Sequence, residues 1–319
     1  MKQKHLIYLL VIVVVLVIVF LGVKKGTVPK AEVRWLAQVD SSKIDEITIT
    51  RNGETYTIAR GANGWNLTSP LEYPATSSFT KSLLGKLTEL QIESEVTSKP
   101  DRWKEFEVDE EKGAVVKIKQ GDKIDEVVIG KVASGYRQSY ARKQGNDTVY
   151  LIRGSYASSL NRKIDNWREK KIGDVSEDDI IKVTTDKATL SKEAEGWRIK
   201  GKKGEGFLAD EKKVKSYLGA ISRIRTAEFP DSTEYAHINW DKPLHTMTVE
   251  LSSGDSRLIK FYTDPTQKER YFFLYHDKPW VFRCYQAIMN QLIKDADEFK
   301  VEEKEGEPGG GMGEEPGGA

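Results

Sequence analysis

The sequence predicts an α+β protein in which an N-terminal transmembrane helix precedes two tandem copies of an antiparallel-sheet-plus-helix unit. Three observations predict this fold class: an unbroken apolar run, an internal repeat, and the separation of strands from helices within each copy. Strands that follow one another, instead of alternating with helices one by one, favour α+β over a doubly wound parallel sheet. The 319 residues are long enough for two domains.

The apolar run extends from Leu6 to Val23 and reads LIYLLVIVVVLVIVFLGV. Its 18 residues would span roughly 27 Å as a helix, which is close to the hydrocarbon thickness of a bilayer. A cleaved signal peptide has a shorter apolar core that ends at small residues, whereas this run leads directly into two lysines. A buried core helix would have a polar face, which the run lacks. We therefore expect residues 1–30 to form an uncleaved anchor, and residues 31–300 contain no second such run.

The composition excludes several classes of protein. Lysine plus arginine number 50 and aspartate plus glutamate number 49, and this balance argues against a strongly basic nucleic-acid-binding protein. The single cysteine, Cys284, excludes an intramolecular disulfide and a cysteine-based zinc site. Four scattered histidines leave little for a histidine-rich metal centre.

An internal repeat organises the rest of the chain. Around Trp65 the sequence reads IDEITITRNGETYTIARGANGWNL, and around Trp197 it reads DDIIKVTTDKATLSKEAEGWRI. Each stretch predicts two alternating strands, a turn and a third strand that Gly-Trp opens, and an amphipathic helix follows. Equivalent apolar positions, each 134 residues apart, are Ile47 and Ile181, Ile49 and Val183, Leu84 and Leu218, Leu87 and Ile221, and Leu90 and Ile224. This constant register indicates a duplication.

Each copy continues with short alternating segments that predict an antiparallel meander, and each closes with a helical pattern. The closing patterns are Tyr156, Leu160, Ile164 and Trp167 in the first copy, and Tyr285, Ile288, Met289 and Leu292 in the second. The predicted copies are residues 31–173 and 174–300, joined by the charged segment KKIGDVSE. Residues 301–319 are rich in Gly, Glu and Pro and predict a disordered tail, with a partner-binding peptide as the alternative.

Four segments, taken in order, resemble the bacterial membrane-anchored family catalogued as domain of unknown function 4340. They are the anchor, the tryptophan strand leading to Pro70 and its helix, the NWREKKI segment, and EDDIIKV after it. The second copy also has INWDKP at residues 238–243, similar to the family's hydrophobic-Asp-x-Pro element. The first copy departs from it, because FEVDEE at residues 106–111 has no proline. The resemblance implies an extracytoplasmic body associated with ABC-type or gliding-type membrane systems, and no established chemistry.

We find no motif that predicts catalysis, so we expect no catalytic, cofactor-binding or metal-binding residues. GKKGEG at residues 201–206 lacks the order of a phosphate-binding loop and is either a solvated turn or an anion site. His237 and His245 do not have metal-ligand spacing. Cys284 follows Arg283 at the start of a helical pattern, where it is either an activated thiolate or a buried structural cysteine.

Aromatic residues are dense in two consecutive predicted strands of the second copy. They are Tyr271, Phe272, Phe273, Tyr275, Trp280 and Phe282. Because alternate residues of a strand face opposite sides, both faces of this region are apolar. These side chains either pack in the core of the second copy or form a patch that binds a partner or a ligand.

We expect a single-pass, membrane-anchored, non-enzymatic accessory or scaffold protein of an extracytoplasmic transport or surface-export complex, such as an ABC-type system. The expected partners are integral-membrane transporter or export components, and we expect no nucleic acid. The alternative is an extracytoplasmic module that binds a glycan or lipid in a groove between the two repeats, and an enzyme is a third interpretation.

The charges that flank the apolar run bear on the membrane topology. Two basic residues precede the run and four follow it up to Arg34, which slightly favours a cytoplasmic body. A short basic tail before an apolar run is typical of a signal-anchor, however, and with the resemblance it predicts a bacterial inner-membrane protein whose body is extracytoplasmic.

Overall fold

The computed structural model describes residues 11–18 and 34–302. Residues 11–18 are helical (α1), and their side chains are exposed. No helix among these described residues is both long and apolar enough to cross a membrane. The predicted anchor, residues 1–30, extends outside the described residues 11–18 at both ends, and the predicted tail lies outside the described part of the chain from residue 303 onward.

The body of the chain divides into two units. Of the residues from 34 to 302, the first unit contains 34–72 and 77–162, and the second contains Tyr73–Thr76 and 163–302. The short segment Tyr73–Thr76 includes the two-residue strand β5 (Tyr73–Pro74) and belongs to the second unit, although first-unit residues flank it in sequence. The chain passes from the first unit to the second within the closing helical pattern of the first copy.

The first unit is built on an antiparallel sheet. Its strands are β1 (Arg34–Trp35), β2 (Glu46–Arg51), β3 (Glu54–Gly61), β4 (Gly64–Ser69), β6 (Gln91–Thr97), β7 (Ala114–Gln120), β8 (Lys123–Val132), β9 (Gln138–Lys143) and β10 (Val149–Arg153). They lie in the order β1-β6-β10-β9-β8-β7-β2-β3-β4. Its helices are α2 (Ser77–Leu87), α3 (Trp103–Phe106) and α4 (Ala157–Leu160), with a 3-10 turn at Pro100–Arg102.

The second unit has an antiparallel sheet of its own. Its strands are β11 (Ile180–Thr185), β12 (Ala188–Glu193), β13 (Gly196–Gly201), β14 (Phe207–Leu208), β15 (His245–Leu251), β16 (Ser256–Thr263), β17 (Arg270–Tyr275) and β18 (Phe282–Tyr285). Their order is β14-β13-β12-β11-β15-β16-β17-β18. Its helices are α5 (Ile164–Trp167), α6 (Glu211–Ser222) and α7 (Gln286–Leu292), with 3-10 turns at Glu177–Asp179 and Ala296–Phe299.

The two units have the same strand order over most of their length. The order β10-β9-β8-β7-β2-β3-β4 of the first unit corresponds to β18-β17-β16-β15-β11-β12-β13 of the second. The pairing register agrees as well, because Ile49 lies opposite Val116 and the equivalent Val183 lies opposite Val249. The prediction of an α+β fold with two antiparallel sheets is confirmed.

Strand alternation explains the core of the first unit. Ile47 and Ile49 are fully buried, whereas Thr48 and Thr50 of the same strand point to the other face and are partly exposed. Thr48 and Thr57 pair across β2 and β3, with their hydroxyl oxygens 3.1 Å apart. Burying each isoleucine contributes roughly 1.5–3 kcal/mol, so this alternation fixes which face of the sheet is inside.

The equivalent helices are amphipathic, as predicted, but the predicted core residue Leu84 of α2 is only partly buried. Helix α2 buries Leu83 and Leu87, which lie four residues apart and therefore on one face. Helix α6 begins after Asp210, whose carboxylate accepts hydrogen bonds from the backbone N–H groups of Lys212 and Lys213 at 2.9 and 3.0 Å. Such an N-cap stabilises a helix by roughly 1 kcal/mol.

The closing helical patterns differ from the prediction in their extent. In the first copy two one-turn helices, α4 and α5, replace a single helix, because Lys163 between them has extended backbone angles of φ −67° and ψ 152°. In the second copy the strand β18 continues to Tyr285, and α7 begins only at Gln286. Cys284 therefore lies in a strand and not at the start of a helix.

Candidate functional site

A buried arginine marks the most polar part of the second unit. Arg283 lies in β18 between Phe282 and Cys284, and all three residues are buried. The guanidinium carbon of Arg283 lies 4.9 Å from the ring centre of Phe272 on the neighbouring strand. Burying a cation is strongly unfavourable unless it is paired, so the groups around Arg283 determine whether the position is tolerated.

Three carboxylates surround Arg283. Its Nη1 donates to Glu228 Oε2 at 3.0 Å, and its Nη2 donates to Glu234 Oε2 at 2.7 Å. The Nη2 also lies 3.5 Å from Oδ2 of Asp264, whose side chain is fully buried. Asp264 is held in place because its Oδ1 accepts bonds from the backbone N–H and the hydroxyl of Thr266. Arg283 is therefore neutralised in its buried position.

A second arginine and a tyrosine extend this charged network. Arg270 Nη1 donates to Glu228 Oε2 at 3.2 Å, and the Tyr285 hydroxyl donates to Glu228 Oε1 at 2.8 Å. The guanidinium of Arg270 also lies 5.3 Å from the ring centre of Tyr285. We call Arg270, Arg283, Glu228, Glu234, Asp264 and Tyr285 the Arg283 network. Glu228 is its centre, because both of its oxygens accept bonds.

The network shifts the ionisation of its members. Partial burial acts to raise the pKa of Glu228, but hydrogen bonds from Tyr285 and Arg283 and the charge of Arg270 outweigh it, so that this pKa is lowered. Burial acts to lower the pKa of Arg283, but the hydrogen bonds that Arg283 donates to Glu234 and Glu228 outweigh it and raise this pKa. Glu228 and Arg283 are thus both held in their charged forms.

An open cavity of about 460 Å³ lies beside the network. Its lining residues are Lys163, Asp165, Asn166, Lys170, Ala227, Glu228, Phe229, Glu234, Gln267, Arg270 and Arg283. Charges of both signs face this space. Lys170 is oriented by its Nζ, which donates to the backbone carbonyl of Ala227 at 3.2 Å. The cavity can hold a polar segment that presents charges of both signs.

The NWREKKI segment binds Tyr73–Thr76 and so builds one wall of the cavity. The Thr76 N–H donates to the carbonyl of Trp167 at 2.7 Å, and the Tyr73 hydroxyl donates to the carbonyl of Glu169 at 3.1 Å. The guanidinium of Arg168 lies 3.6 Å from the ring centre of Phe229 and 4.6 Å from that of Tyr73. Because Phe229 lines the cavity, these residues of the predicted family segment position its wall.

Cys284 does not have the surroundings of a reactive thiol. Its side chain is fully buried in β18, and burial raises the pKa of the thiol to about 12. The neighbouring Arg283 directs its guanidinium to the carboxylates of the Arg283 network, so it does not serve to stabilise a thiolate. Cys284 is a buried structural residue.

The remaining polar candidates are separated in the structure. Residues 201–206 form a turn between β13 and β14 in which Lys202 and Lys203 are exposed. His237 is exposed in the loop before β15, whereas His245 begins β15 and its Nδ1 lies 2.9 Å from Asp186 Oδ2. Among residues 11–18 and 34–302, no three His, Cys, Asp or Glu side chains form a group that could hold a metal ion.

Most of the dense aromatic residues of the second copy belong to its core. Phe272, Phe273, Tyr275 and Phe282 are at most 1% exposed. The rings of Phe273 and Phe282 lie 5.2 Å apart and pack on neighbouring strands. Burial of these rings explains the aromatic density without a ligand.

The sequence did not identify the Arg283 network, because Glu228 and Arg283 lie 55 residues apart along the chain. The isolated bridge between Glu228 and Arg283 joins segments that no local pattern connects. One signal in the sequence could have indicated it. Arg283 lies between the apolar residues Phe282 and Cys284 in a predicted strand, and a charged residue buried there requires a partner of opposite charge.

Comparison with known proteins identifies one family. A family model described as domain of unknown function (DUF4340) matches residues 65–243. The matched range includes the repeat tryptophans Trp65 and Trp197, the NWREKKI segment and the cavity residues from Lys163 to Glu234. No curated protein and no solved structure matches the chain.

Proposed function

We propose that this chain, which belongs to the family described as domain of unknown function (DUF4340), is a single-pass membrane-anchored, non-enzymatic accessory protein. In this proposal its body lies outside the cytoplasm and acts as a scaffold for a transport or surface-export complex, such as an ABC-type system. Its partners are integral-membrane transporter or export components.

One observation supports the membrane anchor above all others. The eight described residues of α1 are Val, Ile and Leu without exception, and each is between 47% and 63% exposed. An uninterrupted exposed apolar helix is unfavourable in water and favourable in hydrocarbon. The apolar run from Leu6 to Val23, of which α1 is the described part, has a number of residues that suits a bilayer.

The scaffold role is supported by the charged cavity of the second unit. Its rim includes the exposed side chains of Lys163, Asp165 and Asn166, and its floor includes Arg283, whose charge is already neutralised. Charges of both signs around a preformed cavity favour a specific polar partner through electrostatic complementarity. A segment of a partner protein fits such a surface better than a flat sugar ring or an acyl chain.

Binding of a glycan or lipid has less support than it had from the sequence. That hypothesis depended on exposed aromatic faces, and four of the six aromatic side chains are core residues. We therefore place the accessory role first.

The proposal is tested by purification of the full-length protein from membranes in mild detergent, with and without a chemical crosslinker. We expect transporter or export subunits to copurify. The Lys163→Glu variant, which inverts a charge on the cavity rim, should lower their recovery severalfold, whereas Lys81→Glu, on an exposed position of α2, should not. Equal recovery of these subunits with both variants would show that the cavity does not bind them. Recovery only as an isolated monomer at every crosslinker dose would contradict the accessory role itself.

A further inference from the structure

A groove lies between α6 and the segment formed by α7 and the 3-10 turn Ala296–Phe299. It has a volume of about 530 Å³. Helix α6 lines it with Lys213, Ser216, Ala220 and Arg223, whose spacing places them along a single helix face. The opposite wall comes from Gln291, Lys294 and Glu298.

Buried contacts give the groove a fixed shape. The Tyr217 hydroxyl donates to the carbonyl of Leu292 at 2.9 Å and so joins α6 to the end of α7. The rings of Tyr217 and Phe299 meet edge to face, with their centres 5.2 Å apart. The floor of the groove is therefore a packed part of the second unit, which is ready to receive a partner without rearrangement.

The charge of the groove is predominantly positive. Lys213, Lys294 and Arg223 line it, against the single acid Glu298, which pairs with Lys294 at 2.6 Å. Arg223 is exposed, and its side chain forms no ion pair within residues 34–302. The groove thus presents a cation without a direct ion pair in residues 34–302, and the acid near it is Glu177, because Arg223 Nη2 and Glu177 Oε2 both lie next to the position of a Cβ atom on Gly219, the latter at 2.9 Å.

The described chain ends at the mouth of this groove. Lys213 Nζ donates to the carbonyl of Lys300 at 2.8 Å and lies 3.2 Å from Glu302 Oε1. The residues that follow, 303–319, contain five glutamates and one lysine, and they begin with the sequence EKEGE. A strongly acidic segment therefore leaves the body of the protein beside a basic groove, directly after Glu302, which already pairs with Lys213.

We propose that this groove is the docking surface for the chain's own acidic segment, residues 303–307. In an extended segment, Glu303, Glu305 and Glu307 lie on one side and span roughly 13 Å. The face of α6 from Lys213 to Arg223 is about 15 Å long, so the spacing of the acids matches that of the cations. The segment is tethered beside the groove, and its high effective concentration compensates for the weakness of individual exposed ion pairs.

Disulfide crosslinking in the full-length protein tests the docking. Cysteines are introduced as Glu307→Cys in the segment, on the same side as Glu303 and Glu305, and as Ala220→Cys in the groove. The matched control combines Glu307→Cys with Lys215→Cys, an exposed position of α6 that lines a different cavity. The native Cys284 does not interfere, because it is fully buried. Crosslink formation is followed over time by gel mobility under mild oxidation.

We expect the crosslink to residue 220 to form at least tenfold faster than the crosslink to residue 215 at low ionic strength. Salt at about 1 M, where charges are screened beyond roughly 3 Å, should bring the two rates together. Arg223→Glu should slow the crosslink to residue 220, and a second change, Glu305→Arg, should restore it. Equal rates at both positions, or no response to Arg223→Glu, would overturn the proposal. A crosslink that forms only between two chains would also overturn it, by assigning the groove to a second copy.

Discussion

Gly85 and Gly219 occupy the same position in the equivalent helices of the two units, since each is the ninth residue, counted from Ser77 in α2 and from Glu211 in α6. Their surroundings differ. A Cβ atom on Gly85 would meet nothing within 4 Å, whereas one on Gly219 would meet the side chain of Arg223 and lie 2.9 Å from Glu177 Oε2. The two helices keep a common backbone position, while their neighbours have diverged.

This difference predicts that the substitution of glycine by alanine affects stability differently at the two positions. Gly85→Ala should raise the free energy of unfolding of the first unit by about 0.5–1 kcal/mol, because alanine reduces the conformational freedom of the unfolded chain and meets no obstacle. Gly219→Ala should raise the free energy of unfolding by less, or lower it, because the Arg223 and Glu177 side chains must move. Urea unfolding of both variants measures the difference, and equal gains would contradict the described environments.

The Arg283 network predicts a large loss of stability when its buried arginine is removed. Arg283→Ala leaves the fully buried Asp264 without its cation, and loss of one partner of a buried ion pair costs about 3–5 kcal/mol. Arg198→Ala is the matched control, because Arg198 pairs with Glu193 on the surface at 2.9 Å and its removal should cost at most about 1 kcal/mol. Urea midpoints of the two variants measure both losses. Similar losses would show that the network contributes no more than a surface pair.

The lowered pKa of Glu228 predicts that the protein loses stability in acid. Its pKa is lower in the folded protein than in the unfolded chain, so the unfolded chain takes up the proton more readily. The stabilisation is therefore present above the ordinary glutamate pKa of about 4.3 and is lost as the pH falls through the lowered folded pKa. Urea midpoints at pH 7 and pH 3 should differ less in Glu228→Gln than in the wild type. An identical pH dependence in both would contradict this role for Glu228.

The burial of Cys284 predicts that its thiol does not react in the folded protein. Because burial raises its pKa to about 12, Ellman's reagent at pH 8 should label it only as fast as the second unit opens. Labelling of one thiol per chain should be rapid in concentrated urea. Complete labelling within minutes under native conditions would show that Cys284 is accessible.

Local pattern predicted the fold better than the site, for a physical reason. The alternation of Ile47 and Ile49 with threonines, and the spacing of Leu84, Leu87 and Leu90, depend on neighbours in sequence and predicted the strand and the helix, although Leu83 and not Leu84 is the fully buried residue of α2. The closing helices were less predictable, because Lys163 breaks a periodic pattern without a proline or glycine to mark the break.

The Arg283 network could not be predicted because it depends on contacts between distant segments. Glu228 lies in a segment without periodicity, and a backbone bridge beside β18 places it next to Arg283. The sequence showed Arg283 beside Cys284 and suggested an activated thiol as one possibility. The strand geometry instead points the guanidinium at Glu228 and Glu234, since neighbouring residues of a strand face opposite sides.

The central claim is that the body of this protein is anchored to a bacterial inner membrane and lies outside the cytoplasm. Reporter fusions after Lys300 test it most directly, with alkaline phosphatase in one fusion and a fluorescent protein active only in the cytoplasm in the other. We expect the phosphatase fusion to be active and the fluorescent fusion to be dark, with both fusions in the membrane fraction. A silent phosphatase with a bright fluorescent fusion would place the body in the cytoplasm and contradict both the topology and the proposed export partners.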